Sequence, residues 1–174
     1  MIHVGDVLDF GPLGMTFTIL ETAADTDGRS FQFEMEVAPH TGGTPLHMHP
    51  DATEIYEGLA GALDVNIDGS WSTMTKGDRE VVAPGVPHTF RNAGDDVARV
   101  THAHQPASRF AEYFEELHRL ANSGVVASDK MTLRAMLHLA VLMTRHEDDT
   151  RSVQPPHVVM RAMGFVGRRL GYGA

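Results

Sequence analysis

The stretch Gly42–Gly61, GGTPLHMHPDATEIYEGLAG, decides how this chain is read. It sets His47, His49 and Glu54 within eight positions, and His88 follows in Ala83–Asn92, APGVPHTFRN. Three imidazoles and one carboxylate make a ligand set for one divalent metal ion. Imidazole suits zinc, copper, iron and nickel, and a carboxylate oxygen adds tolerance for manganese. Residues two apart on a strand share a face, so His47 and His49 project together while Met48 turns away. Pro50-Asp51 is a turn-forming pair, which predicts that the chain reverses and returns Glu54 on the next strand.

Outward from that stretch the pattern is of strands. Phe31–Val37 (FQFEMEV) alternates apolar and polar residues strictly, the signature of a half-buried strand. Further short strands are predicted at Thr16–Ala23, Glu54–Leu59, Ala62–Ile67, Ser72–Met74, Arg79–Val82, His88–Arg91 and Val97–His104. Turns at Asp68-Gly69, Lys76-Gly77-Asp78 and Ala93–Asp96 separate several of them. Many short strands with no helix between them indicate an all-β sandwich or barrel.

The quoted stretch resembles the first cupin motif: a glycine before His-x-His, then Glu54, then Gly61. Gly77–Asn92 resembles the second, with Gly77, Pro84-Gly85, His88 and Asn92 in register. Two positions depart from the motifs, Thr41 and Ala83, where glycine and proline are usual. Gly42-Gly43 and Pro84 stand beside them. The resemblance covers roughly residues 28 to 104. It implies a double-sheet jelly-roll barrel with His47, His49, Glu54 and His88 as the metal ligands, and a single cupin unit.

From Ser108 the period changes. Phe110, Tyr113, Phe114, Leu117, Leu120 and Ala121 form one stripe of an amphipathic helix, with Ser108 as the expected N-cap and Gly124 as the stop. A second helix is predicted from near Ser128 to Arg145, apolar nearly all round and so covered on several sides. A third opens at Pro155-Pro156 and runs to about Leu170, with Val159, Met163, Val166 and Leu170 expected on its packed side. The division expected is a barrel over residues 1–107 and a three-helix extension over 108–174, packed on the barrel or on a second subunit, or closing the barrel mouth as a lid.

Composition narrows the function. The chain has no cysteine, which removes disulfides, thiolate sites and cysteine nucleophiles. The net charge of -9 argues against a nucleic-acid partner. Residues 1–108 hold 5 Lys/Arg against 16 Asp/Glu, whereas residues 109–174 hold 9 against 7. The N-terminal residues do not read as a secretory leader, and no apolar run is long enough to span a bilayer. A soluble, cytoplasmic homodimer with no membrane partner is therefore the expectation.

Strand parity sketches the pocket. Tyr56 shares the face of Glu54 and Phe90 that of His88, while Phe31, Phe33 and Met35 are expected as an apolar wall. His102 and His104 share one face of the last strand. Inward, they would orient ligands or move protons; the plainer reading is a pair of rim histidines. Glu54, Tyr56 and His102 are the candidate catalytic residues. One divalent ion (Fe, Mn, Ni, Cu or Zn) with one carboxylate leaves a site that favours an anionic oxygen ligand. The ligand set is similar to that of quercetin-type dioxygenases, which implies a small aromatic or enolic substrate. A metal-dependent isomerase or lyase and a non-catalytic small-molecule-binding cupin are the alternatives, the first disfavoured by the few Lys/Arg available to hold a sugar phosphate.

Overall fold

The computed structural model describes residues 1–125 and 131–173. Its strands form two antiparallel sheets. The first contains β1 (Val7–Phe10), β2 (Met15–Glu21), β3 (Phe31–Val37), β5 (Thr53–Ala60), β8 (Arg79–Val82) and β10 (Ala98–Gln105), in the order β1-β2-β3-β10-β5-β8. The second contains β4 (His47–Met48), β6 (Leu63–Ile67), β7 (Ser70–Met74), β9 (His88–Arg91) and β11 (Arg151–Ser152), in the order β11-β4-β9-β6-β7. This is the jelly-roll arrangement of two facing sheets, without a continuous ring of paired strands among the described residues. Three helices follow the strands of the amino-terminal part: α1 (Phe110–Ala121), α2 (Leu133–Arg145) and α3 (His157–Arg169).

Alternation does what the sequence asks of it in β3. Phe31, Phe33, Met35 and Val37 are wholly buried, and the intervening Gln32, Glu34 and Glu36 point outward. Phe17 stacks on Phe33 at 4.3 Å between ring centres, and Phe114 of α1 enters the same cluster 5.3 Å from Phe33. Each buried ring contributes about 1.5–3 kcal/mol, so α1 is fastened to the barrel by its own aromatic residues.

The first of the two motif departures has a structural place. Thr41 sits in an isolated bridge with Asn92, an extended position open to any residue. Asn92 explains its own place in the second motif. Its side-chain amide donates to the carbonyls of Val37 and Asp96 and its oxygen accepts from the Gly94 amide, tying a loop to both neighbours. Gly61, at φ 66°, closes the first motif where a Cβ would collide with the Val97 carbonyl.

Several expectations are corrected. The chain does reverse after Pro50-Asp51, but β4 and β5 belong to different sheets, so Glu54 faces His47 and His49 across the interior. Two strands were not foreseen, β1 and β11. Ser108 does not cap α1: Arg109 holds the cap position without a side-chain hydrogen bond, and Ser108 has a positive φ of 41°. The expected start of the second helix near Ser128 lies outside the described residues; within them α2 is capped by Thr132, whose hydroxyl accepts from the Ala135 amide.

The face of α3 is also turned. Of the four residues expected on one side, Met163 packs half-buried against Ala140, Met143 and Met160, while Val159, Val166 and Leu170 are exposed; the buried stripe is Met160, Gly164 and Gly167. Close approach is the reason. A Cβ at Gly164 would sit 2.5 Å from Thr144 Oγ1 and 2.9 Å from the Ala140 carbonyl oxygen, so the glycines let α3 lie directly on α2. No described helix is long and apolar enough to cross a membrane.

Candidate metal centre

Cross-strand pairing assembles the site. His47 on β4 stands opposite His88 on β9 in one sheet. In the other, Glu54 and Tyr56 on β5 stand opposite His104 and His102 on β10. The imidazoles of His47, His49 and His88 form a triangle with ring centres 4.3, 5.1 and 5.1 Å apart. Glu54 reaches into it from the facing sheet, and one donor atom from each of the four lies within 4.8 Å of the others.

Each of these three rings is oriented by a carbonyl on its far side. His47 Nδ1 is 2.9 Å from Pro45 O, His49 Nδ1 2.8 Å from Asp149 O, and His88 Nδ1 2.9 Å from Val86 O. A carbonyl only accepts, so Nδ1 carries the proton and the Nε2 lone pair is left free. His49 Nε2, His88 Nε2 and Glu54 Oε2 are buried with no hydrogen-bond partner among the described residues. Orphaned acceptors aimed at one point are costly in an apolar interior unless a cation meets them. These residues therefore fit a metal ion: four donors from hard and borderline atoms, three rings already in the ligating tautomer.

Glu54 gives its two oxygens to different partners. Oε2 touches His88 Nε2 and lies 3.6 Å from His49 Nε2. Oε1 accepts the Tyr56 hydroxyl at 2.8 Å, touches His102 Nε2, and lies 3.7 Å from His104 Nε2. Burial pushes the Glu54 carboxyl up, but the imidazoles of His88 and His102 outweigh it and hold the group well below the usual carboxylate range. Burial pushes the Tyr56 phenol well above its ordinary range, so it stays a donor. Burial first, and then neighbouring imidazoles, hold His47 and His104 well below the usual histidine value; His102 is lowered too, again chiefly by burial.

Glu54, His102 and His104 also lie close enough to hold an ion. Charge argues against a second one. One divalent cation with one carboxylate leaves a single positive charge in the barrel; a second would leave three, with no carboxylate but Glu54 in contact with these imidazoles among the described residues, and burying uncompensated charge costs several kcal/mol or more per ion. The geometry instead makes Tyr56 and His102 the groups that orient Glu54, leaving Oε2 for a metal. His102 and His104 are not rim residues, being 4% and 1% exposed. Ala98 and Val100 are in phase with them, and all four share the buried face of β10.

A cavity of about 740 Å³ opens from the cluster. The sheets contribute Met15, Phe17, Met35 and Phe90 to its wall, and the helices contribute Tyr113, Leu117, Leu139 and Met143. Phe31 and Phe33, expected in that wall, lie instead in the sealed core behind it, with Phe33 packed on His102. Burial pushes the Tyr113 phenol up to about 12, so it too enters the cavity uncharged. No Lys or Arg lines this space among the described residues.

Comparison with known proteins agrees with the architecture. Residues 33–104 match the family profile described as a cupin domain. Similar solved structures include KdgF from a Halomonas species, with 21% identity and TM-score 0.51 over 58% of this chain and 86% of that one. An RmlC-like cupin from Shewanella frigidimarina shows 20% identity and TM-score 0.53 over 62% and 88%. A predicted oxalate decarboxylase from Thermotoga maritima shows 19% identity and TM-score 0.51 over 53% and 80%. At these identities the likeness is one of fold. No curated protein matches by sequence. The matched domain and the shared fold support the cupin superfamily for the two-sheet core, with a His/Glu group that could hold a metal.

Proposed function

We propose that the protein is a metal-dependent enzyme acting on a small aromatic or enolic molecule, as a dioxygenase of the quercetin type. His47, His49, Glu54 and His88 would hold one divalent ion, which would supply Lewis-acid polarisation of an enol oxygen and redox capacity towards dioxygen. The observation that carries this reading is the placement of the donor set at the base of a largely apolar cavity whose described lining includes no Lys or Arg. A sugar phosphate or polyanionic acid would find no Lys or Arg on those walls among the described residues, whereas an aromatic ring is matched by Phe17, Phe90 and the methionines. The protein's own groups have separable tasks. Tyr56 and His102 keep Glu54 aimed, Met35 and Phe90 position the ring, and α1 with α2 exclude water.

The test is elemental analysis of protein purified without a metal-affinity column, followed by oxygen uptake with a flavonol or a β-diketone. Stoichiometric oxygen consumption supports the proposal. Turnover that proceeds equally well without oxygen would replace it with an isomerase or lyase. A small molecule retained through purification with no turnover would make this a binding protein.

A further inference from the structure

We infer that the segment His146–Ser152, lying between α2 and α3, is a working part of the metal centre, with Asp149 and His146 as positioning residues for His49. The inference rests on the metal reading above and adds to it the region of the chain on which the third ligand depends.

The three ligating imidazoles differ in how they are held. His47 and His88 each find their carbonyl two residues back, in the loop that leads into the strand, at Pro45 and Val86. For His49 the matching position would be His47, whose backbone lies in the sheet pairing of β4. Its partner comes instead from Asp149, 100 residues away, at 2.8 Å and fully buried.

The same segment completes the strand that carries the ligands. β4 has only two residues, and β11 pairs with both, Ser152 opposite His47 and Arg151 opposite Met48. The Leu46 carbonyl accepts the Val153 amide at 2.9 Å. Without β11, β4 would be an edge strand paired with β9 through His47 and His88, with the Gly85 amide on the His49 carbonyl beside it.

Asp149 is in turn fixed by the helices. Its amide donates to the His146 carbonyl at 2.9 Å, and its Oδ1 accepts the Arg109 amide at the start of α1 at 3.3 Å. His146 is 1% exposed and stands between two carboxylates, 3.7 Å from Asp149 and 3.5 Å from Glu116 of α1. The His146 imidazole packs inside the turn that presents the carbonyl, between Asp149 and Glu116 of α1. Because α1 and α2 also roof the cavity, one block of structure sets the roof and the tautomer of a ligand.

The experiment uses the full chain, wild type, Asp149→Ala, His146→Ala and His146→Gln, titrated with Co²⁺ against a competing chelator while the visible spectrum is recorded. Far-UV circular dichroism confirms folding. The expected result is a fall in Co²⁺ affinity of roughly 10- to 100-fold for Asp149→Ala and His146→Ala with an altered ligand-field spectrum, and partial rescue in His146→Gln. Folded variants with wild-type affinity and spectrum would overturn the inference and leave the metal reading standing. No Co²⁺ uptake by wild type would overturn both. A second measurement is independent of metal and of variants: imidazole ¹⁵N NMR of the wild-type protein should show His49 protonated at Nδ1 and slow to exchange. The Nε2-protonated tautomer there would overturn the inference outright.

Discussion

The five imidazoles around Glu54 divide into two groups that are held by different forces. His47, His49 and His88 are fixed by a carbonyl at Nδ1. His102 and His104 have no partner at Nδ1 and are held by aromatic packing, His104 stacked on Phe110 at 3.8 Å and His102 tilted against Tyr56 at 4.4 Å. A hydrogen bond behind a ring settles which nitrogen is free; an aromatic neighbour settles only where the ring lies. The first group is thus prepared to ligate. The second is prepared to orient a carboxylate and to face whatever fills the cavity.

That division is open to a graded series of tests. Glu54→Ala should have the largest effect, since it removes the sole anionic donor and leaves buried imidazoles facing one another; metal retained after dialysis, read by elemental analysis, should fall to background. His49→Ala comes next and should also lose the metal, with its folded spectrum kept. Tyr56→Phe removes one hydrogen bond to Oε1 and should keep close to one equivalent of metal while weakening affinity about 10-fold in chelator competition. His104→Phe preserves the stack on Phe110 and should change metal content least. Should His104→Phe strip the metal as thoroughly as His49→Ala, the two groups are one and the division drawn here is wrong.

The first group was legible in sequence because its signal is local. His-x-His, Glu54 and His88 stand at fixed spacing within turns marked by proline and glycine. Strand parity likewise put Tyr56 beside Glu54 and Phe90 beside His88, and both are buried as it requires. The second group was half legible. β10 reads ARVTHAHQ, with a small or apolar residue on each face, so polarity alone does not say which face is inside. Contact to Phe33 of β3 and to Phe110 at the start of α1 decides it. The Asp149–His49 bond left no trace, since a backbone carbonyl is the same in every residue, and a two-residue strand such as β11 has no period to detect. The face of α3 was misjudged for a related reason: hydrophobic periodicity weighs side chains, and the packed stripe there consists largely of residues without one.

The roof of the cavity belongs to helices that lie outside the two sheets, and this bears on how such a protein can change over generations. Substitutions at Leu117, Leu139 or Met143 can reshape the chamber while the four metal-facing residues stay untouched, so the choice of occupant can drift apart from the chemistry. Wholesale loss or exchange of the helices is a different matter, because the chain that joins α2 to α3 also supports the strand bearing His47. Variation in this lineage should therefore run through point changes on the inner helical surface, with the turn around Asp149 kept as a hinge-pin between two otherwise separable inheritances.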